Sequence, residues 1–404
     1  MAPVESLSER LKRERGSLKE SLFSMSIAVG GEVAYSAALV SARGLMLTVP
    51  TIPLLIPVLA QARGGVYSSI ASSASTRLHF GLGPSKLRDP WVASRLLAAS
   101  LVLLVVSLAA SIFIYVGTRG LVGFAELLYA SSTSLLLANF FLFPFTLLLA
   151  VWSFRRGWNP DNVMAPILML MGDVATVPTL IAVVLVLHRA GALPAALLAL
   201  LTLALSAVFV IALKEGRIEG ALIGEALRSF TVQNGGAVLL SVLIEAAAGV
   251  VLEKNVELVA AYAGVLGTLP VMMQRSGALA CITASRMSTG LHLGTYPSSI
   301  RPRGELVDEL LRNLLLGLFG YAVASCTGMA GAALSGAHVD VIHTLIVLLL
   351  VALVLTPMIP VLAHIIAVTG FRLGLDPDNF SLPTLAALMD LLTISSIVAV
   401  LKII

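Results

Sequence analysis

The fold is decided by a stretch that the chain uses twice, NPDNVMAPILMLMGD at residues 159–173 and DPDNFSLPTLAALMD at residues 376–390. At one constant offset, 217 in sequence number, Pro160 matches Pro377, Asp161 matches Asp378 and Asn162 matches Asn379. Pro166, Leu168 and Asp173 match Pro383, Leu385 and Asp390 in the same register. Long apolar runs follow both terminal acids. Asp173 lies twelve residues beyond Asp161, and at about 1.5 Å per helical residue that is roughly 18 Å, mid-depth in a hydrocarbon layer of about 30 Å. A carboxylate there costs several kcal/mol, so an intramembrane Asp is expected to mark a functional site. Two such acids at matching places point to one shared site on a pseudo-twofold axis.

Composition supports a membrane reading. The chain has 404 residues, of which 58% are hydrophobic and only 12% charged, and its mean hydropathy is +0.98. A soluble domain of this size does not look like that; an all-α polytopic membrane protein does. The formal net charge of +4 comes from loop Lys and Arg, which read as orientation signals rather than a nucleic-acid surface. Cys281 and Cys326 are the two cysteines. Both sit among small apolar residues and read as buried free thiols rather than a disulfide or a metal site. The N-terminal stretch through Glu20 is too charged for a cleaved signal peptide. Almost all the rest is committed to the membrane, leaving no room for a separate soluble domain.

Residues 1–19 form a basic arm with Arg10, Lys12, Arg13, Arg15 and Lys19. A first span at about 21–47 is rich in small residues, which favours close helix packing. It also holds Glu32 and Arg43. The second span begins at about 49 and runs into a polar stretch, QARGGVYSSIASSASTRLHFG, that suits protein or water contact better than lipid. Spans at about 92–117 and 123–154 follow, and the first Asp-bearing span covers about 161–188. After an extra apolar segment at 191–213 the pattern restarts. Glu20, Leu22, Gly30, Gly31 and Gly44 match Glu225, Leu227, Gly235, Gly236 and Gly249 at offset 205. The polar helix recurs at offset 213, pairing Pro57, Gln61, Gly64, Ser72, Ser75, Thr76, His79 and Gly81 with Pro270, Gln274, Gly277, Ser285, Ser288, Thr289, His292 and Gly294. Offsets that drift only at loops mark a tandem duplication.

The expected plan is therefore about 11 transmembrane helices: a first repeat at 20–190, a linking helix at 191–216 and a second repeat at 217–404. Five spans per repeat is an odd number, so the linking helix lets both repeats enter the membrane in the same orientation. The predicted cytoplasmic segments hold fifteen Lys and Arg residues and the outer segments four. This bias favours a cytoplasmic N-terminus, an extracytoplasmic C-terminus and two parallel halves forming an internal pseudo-dimer within one monomer.

On a helix, Asn379, Pro383, Ala386 and Asp390 share one face, as do Asn162, Pro166, Met169 and Asp173. Each face offers an amide oxygen near the cytoplasmic mouth, a carboxylate at depth, and a proline that frees a backbone carbonyl between them. These hard oxygen donors suit Mg²⁺ or Ca²⁺ and suit soft metals poorly. Mg²⁺ gives up its water reluctantly, so two facing carboxylates suit a largely hydrated ion. Asp161, Asp376, Asp378 and Glu305 lie at cytoplasmic ends and concentrate cations there; Asp161 and Asp378 also read as first-turn helix acids. Gly64, Gly65, Gly277 and Ala278 read as a backbone break or a close crossing beside the path. Ser72 and Ser285 read either as path lining or as ordinary small packing residues. His79 and His292 are read first as helix-end or hydrogen-bonding residues and second as proton or ion sensors.

These residues resemble a known family. The Pro-Asp-Asn, the Pro four residues after the Asn and the Asp seven residues beyond that look like the membrane domain of MgtE-type magnesium transporters. The polar helix, with ASRMSTGLHLG at 284–294, is especially similar to the solute carrier 41 branch, in which two such domains are fused. The resemblance covers residues 20–403. It implies a pore between the two domains and a hydrated Mg²⁺ at Asp173 and Asp390, beside Gly64 and Gly277. Three departures bear on selectivity and gating. The family's Gly-Asn in the second span is Gly64-Gly65 in one copy and Gly277-Ala278 in the other. The Gly before the deep acid is kept as Gly172 but replaced by Met389. The cytoplasmic Mg²⁺-sensing domains of the bacterial branch are absent.

The function that follows is divalent cation transport at the cell membrane, foremost of Mg²⁺ and with other divalent cations open, by a protein that is not an enzyme. Its partners are membrane lipid and the cations themselves, with no nucleic acid. Channel and Na⁺- or H⁺-coupled exchanger stay open. Two alternatives compete with it. A carrier for another small cation or solute would want an aromatic cage, and the repeated motifs lack clustered aromatics. An intramembrane aspartyl protease would want two non-equivalent acids sharing a proton, whereas these two are copies.

Overall fold

A computed structural model of the chain describes residues 29–79, 90–158, 160–190, 236–299 apart from 293 and 295, 304–373 and 377–404. The basic arm, the linking helix and the restart of the second repeat up to residue 235 lie outside the described residues. Among the described residues the structure is helical and has no strand. The helices are α1 (29–41), α2 (Arg43–Thr48), α3 (Thr51–His79), α4 (Pro90–Gly117), α5 (Phe124–Arg155), α6 (Pro160–Ala190), α7 (Gly236–Lys254), α8 (Val256–Ala261), α9 (Ala263–His292), α10 (Gly304–Leu334), α11 (Val341–Arg372) and α12 (Pro377–Leu401).

Runs of Leu, Ala and Val fix most of these helices, because in lipid every backbone group must be satisfied within the segment. Seven described helices are long and apolar enough to cross a membrane: Ser94–Gly117, Phe124–Arg155, Gly236–Lys254, Ala263–His292, Glu309–Leu334, Val341–Arg372 and Ser381–Leu401. Val174–Arg189, in the second half of α6, is a shorter apolar helix. The 29-residue α3 is about 43 Å long at 1.5 Å per residue, yet falls outside that set. Its Gly- and Ser-rich second half is the polar stretch that the sequence keeps away from lipid. Helix ends follow local rules. Gly157 after α5 and Gly336 after α10 take positive φ, 73° and 76°, the left-handed geometry that stops a helix. The Asp340 side chain caps α11 by accepting from the His343 N–H at 3.0 Å.

A long helix, a six-residue helix and a second long helix occur in order at α1–α3 and again at α7–α9. The short helices α2 and α8 pack against each other. Val49 ends α2 with φ −129° and ψ 93°, and Tyr262 ends α8 with φ −107° and ψ 91°. Val49 and Tyr262 stand at offset 213, the offset of the polar helices, and so do the first residues of α2 and α8. The offset of 205 read for the first span therefore does not reach Gly44 and Gly249. Gly44 sits in the short α2 and Gly249 in the long α7, because eight more residues precede the break in the second case.

The first long helix of each half makes contacts across to the other half. In α1, the Ser36 hydroxyl donates to the Gly267 carbonyl of α9, Glu32 pairs with Arg275 of α9 at 2.8 Å, and Gly331 of α10 lies against Val33 and Ser36. In the other direction, α7 packs on α3 and α4, and Gly249 sits against the Leu54 carbonyl of α3. Small residues that let backbones approach are the usual basis of helix association in lipid, where apolar burial gives little net drive. The described core is continuous across both halves, running from Leu39 and Leu54 through Leu127 to Leu266, Leu355 and Met389.

Candidate functional site

The site is best read from α12. Pro377 opens it, at a position where a missing N–H costs nothing, and Pro383 lies inside it. Asp390 follows thirteen residues after Pro377 and eleven before Leu401, close to the middle of a helix that spans an apolar layer. The helix packs on α9, α7 and α11, and touches α3 of the first half. Its Asn379–Asp390 face is turned at least in part toward α9: a Cβ on Gly277 would stand 3.8 Å from the Ala386 Cβ. The contact with α3 is polar. Gln61 Nε2 donates to the Pro383 carbonyl at 3.3 Å, a bond between the first half and the site helix of the second. Cys281 of α9 reaches the Leu382 carbonyl at 3.7 Å.

In the first half, α6 carries Asn162, Pro166 and Asp173 along its axis and packs on α3 and α5. Asp161, Asn162, Pro166 and Asp173, with Gly65, Ser72, Asp378 and Asn379, lie in described helices, but their side chains lie outside what the structure describes. The polar-helix positions that are described do not behave as equal pairs. Gly64 is exposed whereas Gly277 is buried against α12; Ala278 and Ser285 are exposed. His292 is exposed and meets Phe371 edge-on at a ring separation of 5.6 Å.

One relationship does recur between the halves. Arg63 of α3 donates to the Thr176 hydroxyl of α6 at 3.0 Å. Thr393 of α12 donates to the Ser276 hydroxyl of α9, also at 3.0 Å. Ser276 stands at offset 213 from Arg63, and Thr393 at offset 217 from Thr176, so the same two positions are bonded in each half. The residue types differ in a linked way. The Arg63 guanidinium occupies the space over Gly172, where an added Cβ would collide with it. At the second place the small Ser276 leaves room for Met389, which is fully buried.

Sequence reasoning missed two charged residues here. Arg63 is 6% exposed and Glu245 of α7 is fully buried. The Glu245 carboxyl is set against that of Asp390. Both lie in otherwise apolar or small-residue surroundings, and an ionisable residue inside such a run was the available signal. Among the described residues no three His, Cys, Asp or Glu side chains gather into a metal-holding group. The acids that meet, Glu245 and Asp390, are a pair.

A helical bundle with seven described helices long and apolar enough to cross a membrane, and with acids inside such helices, defines a polytopic membrane protein. The chain belongs to the MgtE divalent cation transporter family, whose profile matches residues 56–183 and again 269–400, together more than half of the chain. The starts of the two matches are offset by 213 and their ends by 217, the offsets at which the polar helices and the Asp motifs repeat. Solute carrier family 41 member 2 of Xenopus laevis is 26% identical over 368 residues, covering 84% of this chain. The chain spans 63% of the length of that curated relative. No solved structure matches the chain. The family is one of transporters, which speaks against the protease alternative.

Proposed function

We propose that the protein carries Mg²⁺ across the cell membrane along a path between its two halves, with a largely hydrated ion held by Asp173 and Asp390. The observation that carries this reading is the repeated acid. In each half an Asp stands near the middle of an apolar helix, α6 or α12, that packs on the polar helix of the same half, α3 or α9. Hard carboxylate oxygens and an octahedral ion that keeps its water are matched in chemistry. Asn162 and Asn379, with Asp161 and Asp378, form the entrance at the cytoplasmic ends of the two helices. Pro166, Pro383, Gly64, Gly65, Gly277, Ala278, Ser72 and Ser285 border the path. Two parallel five-helix repeats, joined by the linking helix at 191–216, give the protein eleven spans, a cytoplasmic N-terminus and an extracytoplasmic C-terminus. The repeats act as a pseudo-dimer within one monomer.

The test is Mg²⁺ flux into proteoliposomes by wild type, Asp173→Asn, Asp390→Asn and the double variant. These changes keep shape and remove charge. Loss of flux in either single variant, with no further loss in the double, is the result expected of one shared site. Unchanged flux in folded protein would return both acids to a structural role. Imposed voltage and imposed Na⁺ or H⁺ gradients in the same vesicles separate channel from exchanger.

A further inference from the structure

Helix α7 has one acid in its interior. Glu245 lies nine residues after Gly236 and nine before Lys254, at the centre of a membrane-spanning helix. It is 0% exposed. Its carboxyl lies against that of Asp390 of α12, within hydrogen-bonding reach if one of the two carries a proton, and among the described residues its oxygens meet no other hydrogen-bond donor. The large majority of buried side-chain polar atoms in native structures have a partner. A fully buried carboxyl set against a second carboxyl, with no basic side chain answering it among the described residues, is an arrangement that a cation, in place of a shared proton, would satisfy.

The halves differ at this point. In the register set by the breaks after α1 and α7, offset 213, the counterpart of Glu245 is Glu32. Glu32 accepts from Arg275 of the other half through both of its oxygens. The counterpart of Arg275 in the first half is Ala62, so the guanidinium that would answer Glu245 in the same way is missing. The first half also has the Arg63 guanidinium lying over Gly172, the residue before Asp173, where the second half has Ser276. A guanidinium thus stands on Glu32 and another over Gly172 of the first half, whereas Glu245 and Asp390 face each other. Two carboxylates from α7 and α12 match the charge of a divalent ion, while a fixed guanidinium lowers the local demand for one.

We propose that Glu245 is a second carboxylate of the cation site, so that the transported divalent ion is held chiefly in the second half by Glu245 and Asp390 together. This rests on the reading of Asp390 as a cation-binding residue. It goes beyond that reading by adding a residue from a helix outside the Asp motifs and by making the two halves unequal partners.

The experiment uses the full chain in lipid nanodiscs and in proteoliposomes. The Mg²⁺ concentration giving half-maximal thermal stabilisation, and that giving half-maximal flux, are measured for wild type, Glu245→Gln, Glu245→Asp, Asp390→Asn and Asp173→Asn. Glu245→Gln is expected to raise both concentrations about ten- to a hundredfold, the range set by losing a group that supports a metal site. Glu245→Asp keeps the charge and should fall between wild type and Glu245→Gln; Asp173→Asn should weaken binding less than either second-half neutralisation. An unchanged Mg²⁺ dependence in Glu245→Gln, with binding lost in Asp390→Asn, would overturn the proposal and leave the Asp390 site standing. Unchanged dependence in both would sink the Asp390 site as well. Equal weakening in Glu245→Asp and Glu245→Gln would also overturn it, since shape rather than charge would then be the cause.

Discussion

Arg63 fills the space that a side chain at position 172 would need: a Cβ built on Gly172 runs into the Arg63 guanidinium, which is held in place by the Thr176 hydroxyl. The second half has the smaller Ser276 at the counterpart of Arg63 and the buried Met389 at the counterpart of Gly172. Substituting Gly172→Met alone should cost about 3 kcal/mol, because the buried guanidinium must be displaced in a packed interior. Arg63→Ser alone should cost about 1–3 kcal/mol through the void and the lost hydrogen bond. The double variant, which copies the second half, should lose less than the sum by more than about 1 kcal/mol, the mark of residues sharing one space. Melting points of the three variants in detergent check this; simple additivity would show that the two residues do not compete.

The approach of α7 to α3 sets a second expectation. A Cβ on Gly249 would press into the backbone carbonyl of Leu54, an atom that moves only if a helix moves. Gly249→Ala should destabilise the protein by roughly 2–3 kcal/mol. Gly320, inside α10, has nothing within 4 Å of the same position. Gly320→Ala should be neutral or stabilising by up to about 1 kcal/mol, as helix propensity alone dictates. Thermal unfolding of the pair decides the matter, and an equal response at both positions would deny the close crossing.

Much of this fold is legible in the sequence because duplication repeats the signal. Asp173 and Asp390, Gln61 and Gln274, and the serines of the polar helix stand out by recurring at fixed offsets. Arg63 does not recur, since Ser276 holds its counterpart position, and a search for matched pairs passes over it. Glu245 does recur, as Glu32, but only at offset 213; at the 205 that the flanking glycines suggest, it falls against Val40. The cause is where the two helices break. Measured from those glycines, α1 breaks at the short α2 eight residues earlier than α7 breaks at α8, and apolar composition runs through both breaks. A different signal is present for Glu245 and Arg63 alike, a charge within an apolar or small-residue run, and it does not depend on repetition. The packing of α1 and α7 across the two halves is not legible either. It rests on which glycine meets which carbonyl across the bundle, and sequence spacing within one helix says nothing of that.

The last prediction contrasts two ion pairs on α9. Arg275 bonds both oxygens of Glu32, at 2.8 and 3.0 Å, and the Glu32 side chain is only 6% exposed. Removing one partner of a buried pair strands a charge, at about 3–5 kcal/mol when burial is complete; Arg275 keeps 24% of its side chain exposed, which reduces the penalty. Arg275→Met should therefore cost about 2–3 kcal/mol and loosen the contact of α1 with the second half. Glu309 is held by Arg286 at 3.2 Å and Arg312 at 2.9 Å, but those arginine side chains are 47% and 42% exposed. Solvent screens such pairs, and each is worth at most about 1 kcal/mol. Arg286→Met should accordingly leave stability within about 1 kcal/mol of wild type. Raising NaCl should lessen even that difference while leaving the Arg275→Met effect in place, because exposed charges are screened and buried ones much less so. Melting curves of both variants at low and high salt provide the check, and an equal salt response would remove the distinction between the two pairs.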